Sequence, residues 1–164
     1  MVKYIANIIT STRLLGAIIL LFIPYLSKPF FVIYTYCGLS DILDGYVARK
    51  TNSTSSLGSK LDSASDLLLF GTTIYRSWPI LLKRLPRIMT DGILLAILLR
   101  LLLYVYYYIK NKQFLSTHSY FNKITSFLIC LLPYMLMSNY LYAYILVVLL
   151  SAFLAIIDEF IKIK

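Results

Sequence analysis

The stretch that decides the fold is residues 41–66, DILDGYVARKTNSTSSLGSKLDSASD. It contains four of the seven acidic residues of the chain, and hydrophobic sequence lies on both sides of it. A carboxylate at membrane depth is costly, so it usually faces a polar cavity and belongs to a functional site. Four carboxylates at helical spacings therefore indicate such a site. They are Asp41, Asp44, Asp62 and Asp66.

The composition places this stretch in a membrane protein. Of the 164 residues, 60% are hydrophobic and 14% are charged, whereas a soluble domain has about half apolar and about a quarter charged residues. We therefore expect one all-α integral membrane domain over residues 1–164. The net charge of +9 does not indicate nucleic-acid binding, because most basic residues stand at the ends of apolar runs, where they anchor helices and meet anionic lipid headgroups.

The apolar runs predict six transmembrane helices with a short N-terminal amphipathic helix. Residues 1–13 would form a helix with one apolar face and one polar face, which is typical of a segment lying in the membrane interface. About 20 residues are needed to cross the hydrocarbon core, so the first span must begin near Ile8. Residues 76–87 are interpreted as a basic connection interrupted by proline. The six spans are expected at about residues 8–26, 30–49, 57–75, 88–109, 124–137 and 141–160.

The distribution of basic residues predicts the topology. Six spans put both termini on one side of the membrane, and ten basic residues flank that side against five on the other. Under the positive-inside rule this favours cytoplasmic termini, although the basic connection at residues 76–87 argues against them. We expect a multi-pass protein of a bacterial-type cell membrane, with the aspartate stretch facing the cytoplasm.

The spacing of the aspartates predicts a site for divalent cations. Asp41 and Asp44 are three residues apart, and Asp62 and Asp66 are four apart, so each pair projects from one face of a helix. Four bare charges in one small volume would repel. Divalent cations remove this repulsion, and oxygen ligands favour Mg²⁺, Mn²⁺ or Ca²⁺ over zinc. Four carboxylates suffice for two ions, which is the usual arrangement for phosphoryl chemistry.

The other fixed residues of the stretch suit a phosphate ligand. Gly45, Ala48 and Gly58 remove side-chain bulk where a ligand or another backbone must approach closely. Arg49 supplies a cation with a fork geometry that matches a phosphate. Beside a bilayer, metal ions, an arginine and small residues together imply a lipid-linked diphosphate.

The pattern D-x2-D-G-x2-A-R-x8-G-x3-D-x3-D resembles the complete motif of the CDP-alcohol phosphatidyltransferase family, with every fixed position filled. Two further regions extend the resemblance over nearly the whole chain. N-x2-T-x2-R at residues 7–13 resembles the opening of the family, and NKIT at residues 122–125 resembles its later G-K-x-x-T-like segment. Asn122 stands where many members have glycine.

The resemblance implies a reaction and a role for each motif residue. The hydroxyl of an acceptor alcohol would attack the β-phosphate of CDP-diacylglycerol and release CMP. The four aspartates would bind Mg²⁺ or Mn²⁺, and Asp66 would also be the general base. The resemblance also suggests a homodimer. The residues that would line the CDP site are Gly45, Ala48, Arg49 and Gly58, with Arg49 on the diphosphate.

Three basic residues outside the motif are candidate contacts to an acceptor phosphate: Arg13, Arg100 and Lys123. Arg100 lies mid-span among leucines, where an arginine is costly and usually faces a cavity. We interpret it as a phosphate contact rather than as the partner of Asp91 or of a motif aspartate. Three cations suit glycerol 3-phosphate or inositol phosphate, and serine would not require them. The predicted acceptor is glycerol 3-phosphate, with inositol phosphate or serine as the alternatives.

The remaining ionisable and sulfur-containing side chains receive structural interpretations. Asp158 and Glu159 are predicted to form a solvated helix end. Cys37 and Cys130 lie in separate apolar runs, without disulfide or metal-ligand spacing, and are expected as buried small residues. His118 by itself cannot form a histidine-based metal site.

Three other interpretations of the motif stay open. The aspartates could form a structural metal or salt-bridge cluster, or belong to an inactive relative. An intramembrane prenyltransferase also uses aspartates, Mg²⁺ and a lipid diphosphate, but its aspartate motifs lie in separate halves of a larger bundle. A cation transporter would leave the small residues and Arg49 unexplained, and Arg49 would repel the cation.

Overall fold

The computed structural model describes the backbone of residues 2–51, 56–112 and 120–163, and the side chains of residues 11–40, 64–112 and 120–162. The described residues are all-helical, without a strand among them. Six helices lie close to the six predicted spans. They are α1 (Val2–Phe22), α2 (Lys28–Thr51), α3 (Ser56–Arg84), α4 (Arg87–Asn111), α5 (Tyr120–Met135) and α6 (Leu141–Ile163).

The prediction of a separate N-terminal amphipathic helix is wrong. Helix α1 runs without a break over Val2–Phe22. No proline or glycine stands between Val2 and Leu15, so nothing in this segment removes a backbone hydrogen bond or favours a turn. The amphipathic residues are therefore the first turns of the first long helix.

The basic segment at residues 76–87 is also more helical than predicted. Helix α3 continues through Pro79 to Arg84 and ends only before Pro86, which precedes α4. Pro79 removes one helical hydrogen bond, but side-chain bonds anchor α3 on both sides of it. Arg76 donates to the carbonyl oxygens of Leu21 and Ile23 at 2.6 and 2.7 Å, and Arg84 donates to those of Leu136 and Ser138.

The chain divides into two compact units, Met1–Arg76 and Ser77–Lys164, with the boundary inside α3. In the first unit α1 packs antiparallel on α2. A Cβ added at Gly16 would lie 2.7 Å from the Cys37 sulfur, so the two backbones approach closely at this point. Helix α3 joins them through the Thr73 hydroxyl, which donates to Tyr34 at 3.4 Å. As predicted, Cys37 is a buried thiol, but the same prediction is wrong for Cys130, which is only half-buried.

In the second unit α6 packs against both α4 and α5. Gly92 of α4 faces Leu149 of α6, where an added Cβ would make ordinary contact at 3.4 Å. Between α5 and α6 the Thr125 hydroxyl donates to Ser151 at 3.0 Å, and both side chains are buried. Helix α6 is therefore the central element of this unit.

Two helices among the described residues are long and apolar enough to cross a membrane, Arg87–Asn111 and Leu141–Lys162. Only 17% and 22% of their most apolar windows are buried, whereas the core helix of a soluble protein is mostly buried. Their apolar side chains therefore face outward, which suggests a membrane protein. The other four spans stay predictions.

Candidate active site

The structure places the aspartate motif on two consecutive helices, as predicted. Its first half lies near the end of α2 and its second half near the start of α3, so each pair of aspartates lies within a continuous helix. Residues 52–55, the connection between the halves, lie outside the described residues. So do the side chains of seven of the eight motif positions. They are those of Asp41, Asp44, Gly45, Ala48, Arg49, Gly58 and Asp62.

The described motif side chain is Asp66, and it lies beside Arg13. The Arg13 Nη1 atom is 3.9 Å from the Asp66 Oδ1 atom. The Arg13 side chain is fully buried, whereas that of Asp66 is 45% exposed. A buried guanidinium needs an anionic or hydrogen-bonding neighbour, and α3 supplies a carboxylate. This carboxylate stays accessible to a ligand.

Polar contacts between α1 and α2 surround the backbone of Arg13. The Cys37 thiol donates weakly to the Arg13 carbonyl oxygen at 3.8 Å. One residue earlier, the hydroxyls of Thr12 and Tyr36 are hydrogen-bonded at 2.9 Å. These contacts hold Arg13 on the face of α1 that packs against α2.

Two buried serines precede motif aspartates directly, and neither is among the predicted site residues. Ser40 lies before Asp41 and donates to the Cys37 carbonyl oxygen at 2.9 Å. Ser65 lies before Asp66 and is fully buried. Their signal in the sequence is a small polar residue, repeated in front of one aspartate of each pair. Small polar residues at these positions allow each helix to pack closely while its own hydroxyl is satisfied.

The described motif side chain has donor atoms of a type that suits a divalent cation. Asp66 supplies accessible oxygen donors of the hard type that Mg²⁺ and Mn²⁺ prefer. Asp41 and Asp44 are three residues apart within α2, and Asp62 and Asp66 are four apart within α3. These are the helical spacings from which the site is predicted. Among the residues whose side chains are described, no group of three or more metal-binding side chains occurs. Three of the four predicted ligands lie outside that set.

Arg100 belongs to a polar cluster that links α4, α5 and α6. Its Nη2 atom is 3.3 Å from Glu159 Oε1. Asn122 bridges the two, because its carbonyl oxygen accepts from Arg100 Nη2 and its NH₂ group donates to Glu159 Oε1. Arg100 also donates through Nε to the Tyr104 hydroxyl at 3.2 Å. We call Arg100, Asn122 and Glu159 the α4–α6 cluster.

The prediction that Glu159 is a solvated helix end is wrong. Glu159 is 1% exposed, because α6 continues to Ile163 and its buried face includes this position. Ser151, Ala155 and Glu159 are four residues apart and all buried, so the small residues preceding Glu159 were the signal that it faces a neighbour. Asp158 does lie near solvent, 2.7 Å from Lys162.

Lys123 is exposed and lies over the ring of Tyr120, with its Nζ atom 5.7 Å from the ring centroid. The role of Lys123 and Arg100 in binding an acceptor stays a prediction. The structure adds that Arg100 has a carboxylate partner, which is neither Asp91 nor a motif aspartate.

The family model of the CDP-alcohol phosphatidyltransferases matches residues 3–157. The chain belongs to this family. The match covers α1 through most of α6 and includes the whole motif. It also includes Arg100 and Asn122 of the α4–α6 cluster, and it ends two residues before Glu159.

Three curated relatives carry names with three different acceptors. The chain is 61% identical to CDP-diacylglycerol–serine O-phosphatidyltransferase of Methanocaldococcus jannaschii over 31 residues, 19% of the chain and 15% of that protein. It is 35% identical to CDP-diacylglycerol–inositol 3-phosphatidyltransferase 1 of Arabidopsis thaliana over 80 residues, 44% of the chain and 35% of that protein. It is 30% identical to CDP-diacylglycerol–glycerol-3-phosphate 3-phosphatidyltransferase of Rickettsia bellii over 73 residues, 42% of the chain and 40% of that protein.

The chain therefore matches less than half the length of each of these curated relatives. No solved structure matches it at a significant level.

Proposed function

We propose that this protein transfers the phosphatidyl group of CDP-diacylglycerol to a small acceptor alcohol and releases CMP, as a step of phospholipid biosynthesis. The observation that carries the proposal is the complete motif divided between α2 and α3, in a chain that matches the family over residues 3–157. The accessible carboxylate of Asp66 supports it, because a base must reach the acceptor hydroxyl.

In the proposed reaction the acceptor oxygen attacks the β-phosphorus of the donor. The bond between that phosphorus and the bridging oxygen breaks, and CMP leaves with the electron pair. The proton of the acceptor hydroxyl passes to the carboxylate of Asp66. Arg13, buried 3.9 Å from Asp66, is better suited to position this base than to bind a phosphate that arrives from solvent. We therefore propose a positioning role for Arg13 in place of its predicted acceptor contact.

The four motif aspartates are the proposed ligands of Mg²⁺ or Mn²⁺, with two ions accommodated. When bound, these ions would supply positive charge to the donor diphosphate and to the leaving CMP. Gly45, Ala48 and Gly58 would leave room for the CDP moiety, and Arg49 would bind its diphosphate. The proposed metal ligands are Asp41, Asp44, Asp62 and Asp66.

The proposed acceptor is glycerol 3-phosphate. Arg100 on α4 and Lys123 on α5 would bind its phosphate, and the name of the Rickettsia bellii relative states the same acceptor for that protein. Asn122 adjoins Lys123 and hydrogen-bonds Arg100, so the two cations are linked through one residue of α5. Inositol phosphate and serine are the alternative acceptors. The names of the other two relatives state a serine acceptor for one protein and an inositol acceptor for the other.

The proposed location is a bacterial-type cell membrane, with six spans and with the termini and the active site on the cytoplasmic side. Residues 76–87 were the evidence against this topology, because they place basic side chains outside. Arg76 and Arg84 now have internal partners, since both donate to carbonyl oxygens of other segments. These contacts give two of the basic residues in this segment a structural role, which supports the proposed topology.

A panel of substrates tests the proposal. Purified protein in detergent with Mg²⁺ would receive CDP-diacylglycerol and, in turn, glycerol 3-phosphate, inositol phosphate, inositol or serine, and the lipid product would be identified by mass. A phosphatidyl product with glycerol 3-phosphate is the expected result. If a phosphatidyl product forms only with another acceptor, that compound replaces glycerol 3-phosphate as the proposed acceptor. A lipid product formed from a prenyl diphosphate, with none from CDP-diacylglycerol, would replace the function by the prenyltransferase alternative.

A further inference from the structure

The α4–α6 cluster carries no net charge. Arg100 contributes one positive charge, Glu159 one negative charge, and Asn122 is neutral. The Arg100 side chain is 27% exposed, whereas that of Glu159 is 1% exposed. The cation therefore lies at an accessible edge of the cluster, with the carboxylate behind it inside the unit.

The geometry directs this carboxylate at Arg100. One oxygen of Glu159, Oε1, accepts hydrogen bonds from both the Arg100 Nη2 and the Asn122 NH₂ group. Asn122 also accepts from Arg100, so its side chain contacts both the guanidinium and the carboxylate. A glycine at position 122 could make neither contact, because it has no side chain. The departure of this chain from the family pattern at Asn122 thus adds a bridge to the direct contact between Arg100 and Glu159.

We propose that Glu159 sets the affinity of this enzyme for a phosphate-bearing acceptor, by competing with the acceptor phosphate for Arg100. The inference rests on the proposed function. A phosphate that approaches Arg100 meets a guanidinium whose charge is already balanced, so its attraction is weaker than that of an arginine alone. Glu159 acts through Arg100 and is a positioning residue, not a catalytic one.

Glu159→Gln tests the inference, because glutamine keeps an oxygen that accepts from Arg100 and Asn122 but removes the charge. The KM for glycerol 3-phosphate is expected to fall about fivefold, the upper range for a partly exposed ion pair. The KM for CDP-diacylglycerol and kcat are expected to stay within about twofold of wild type. A purely structural ion pair would instead lower thermal stability without separating the two KM values.

Asp158→Asn is the matched control. It removes a carboxylate from the adjacent residue, whose partner is Lys162 and not Arg100. Both KM values are expected to stay at the wild-type level. The double variant Arg100→Gln/Glu159→Gln leaves no charge buried in the cluster, and its KM for glycerol 3-phosphate is expected to exceed that of wild type.

The outcomes separate the inference from the function on which it rests. If wild type forms product with glycerol 3-phosphate and Glu159→Gln leaves its KM unchanged or raises it, the inference is overturned and the function stands. Use of serine alone by wild type also overturns the inference, while the transfer reaction stands. Absence of CMP release with every acceptor overturns both.

Discussion

Arg13 of α1 and Asp66 of α3 form an ion pair of 3.9 Å in which the cation is fully buried and the anion is 45% exposed. Arg13 and Asp66 are 53 positions apart in the sequence, and the pair brings a residue of the N-terminal helix to the last aspartate of the motif. The first helix therefore contributes a residue to the candidate site.

Arg13→Gln is expected to lower CMP release by about 100-fold, because the proposed base loses the cation that positions it. Arg13→Lys keeps the charge on a side chain without the guanidinium fork, so a smaller loss is expected. Rates of CMP release and thermal unfolding would be measured for both variants. A folded Arg13→Gln protein with the wild-type rate would remove Arg13 from the site.

Gly16→Ala is expected to lower the free energy of unfolding by about 1–3 kcal/mol, because the new Cβ would lie 2.7 Å from the Cys37 sulfur. Thermal unfolding in detergent measures the effect. The double variant Gly16→Ala/Cys37→Ala should recover most of the loss, since it removes the sulfur.

Gly38→Ala is the matched control for this close approach. It lies one residue from Cys37, and an added Cβ there meets nothing within 4 Å. Its unfolding temperature should equal or exceed that of wild type, because alanine favours a helix over glycine by about 1 kcal/mol. Equal losses for Gly16→Ala and Gly38→Ala would contradict the packing of α1 on α2.

Arg76→Gln is expected to destabilise the protein by about 1.5–3 kcal/mol, because two charge-assisted hydrogen bonds to carbonyl oxygens near the end of α1 are lost. Arg87→Gln removes an exposed arginine from the same basic segment and should change stability by less than about 0.5 kcal/mol. Thermal unfolding of the two variants decides the point. Similar unfolding temperatures would show that the Arg76 contacts do not stabilise α1.

Removal of divalent cations with EDTA is expected to abolish CMP release, and addition of Mg²⁺ or Mn²⁺ should restore it, because carboxylate oxygens are hard ligands. Zinc is expected to restore less. Full activity after exhaustive chelation would contradict the proposed role of the motif aspartates as metal ligands.

The sequence predicted the six helices and the division of the motif because the signals are local. Ser27, Pro29 and the polar residues around position 52 interrupt the apolar runs, and the helices end close to these points. The start of α1 was less predictable, since amphipathic character does not show whether a helix continues into the next run.

The partners of buried charges were not predictable in the same way. Arg100 and Glu159 are 59 positions apart. The sequence of α4 alone is consistent with a phosphate contact for Arg100, and that of α6 alone with a solvated helix end for Glu159. Which faces of α4 and α6 meet depends on packing between helices, and the sequence of one helix does not specify it. For the same reason, the sequence of α1 alone does not specify that Arg13 lies beside Asp66.

The central claim is that the motif transfers a phosphatidyl group with Asp66 as the base. The most direct test is CMP release from CDP-diacylglycerol and glycerol 3-phosphate by wild type, Asp66→Asn and Asp91→Asn, where Asp91 is an exposed aspartate outside the motif. We predict acceptor-dependent release by wild type and Asp91→Asn, and a loss of at least about 100-fold in Asp66→Asn. Release by Asp66→Asn at the wild-type rate would contradict the account.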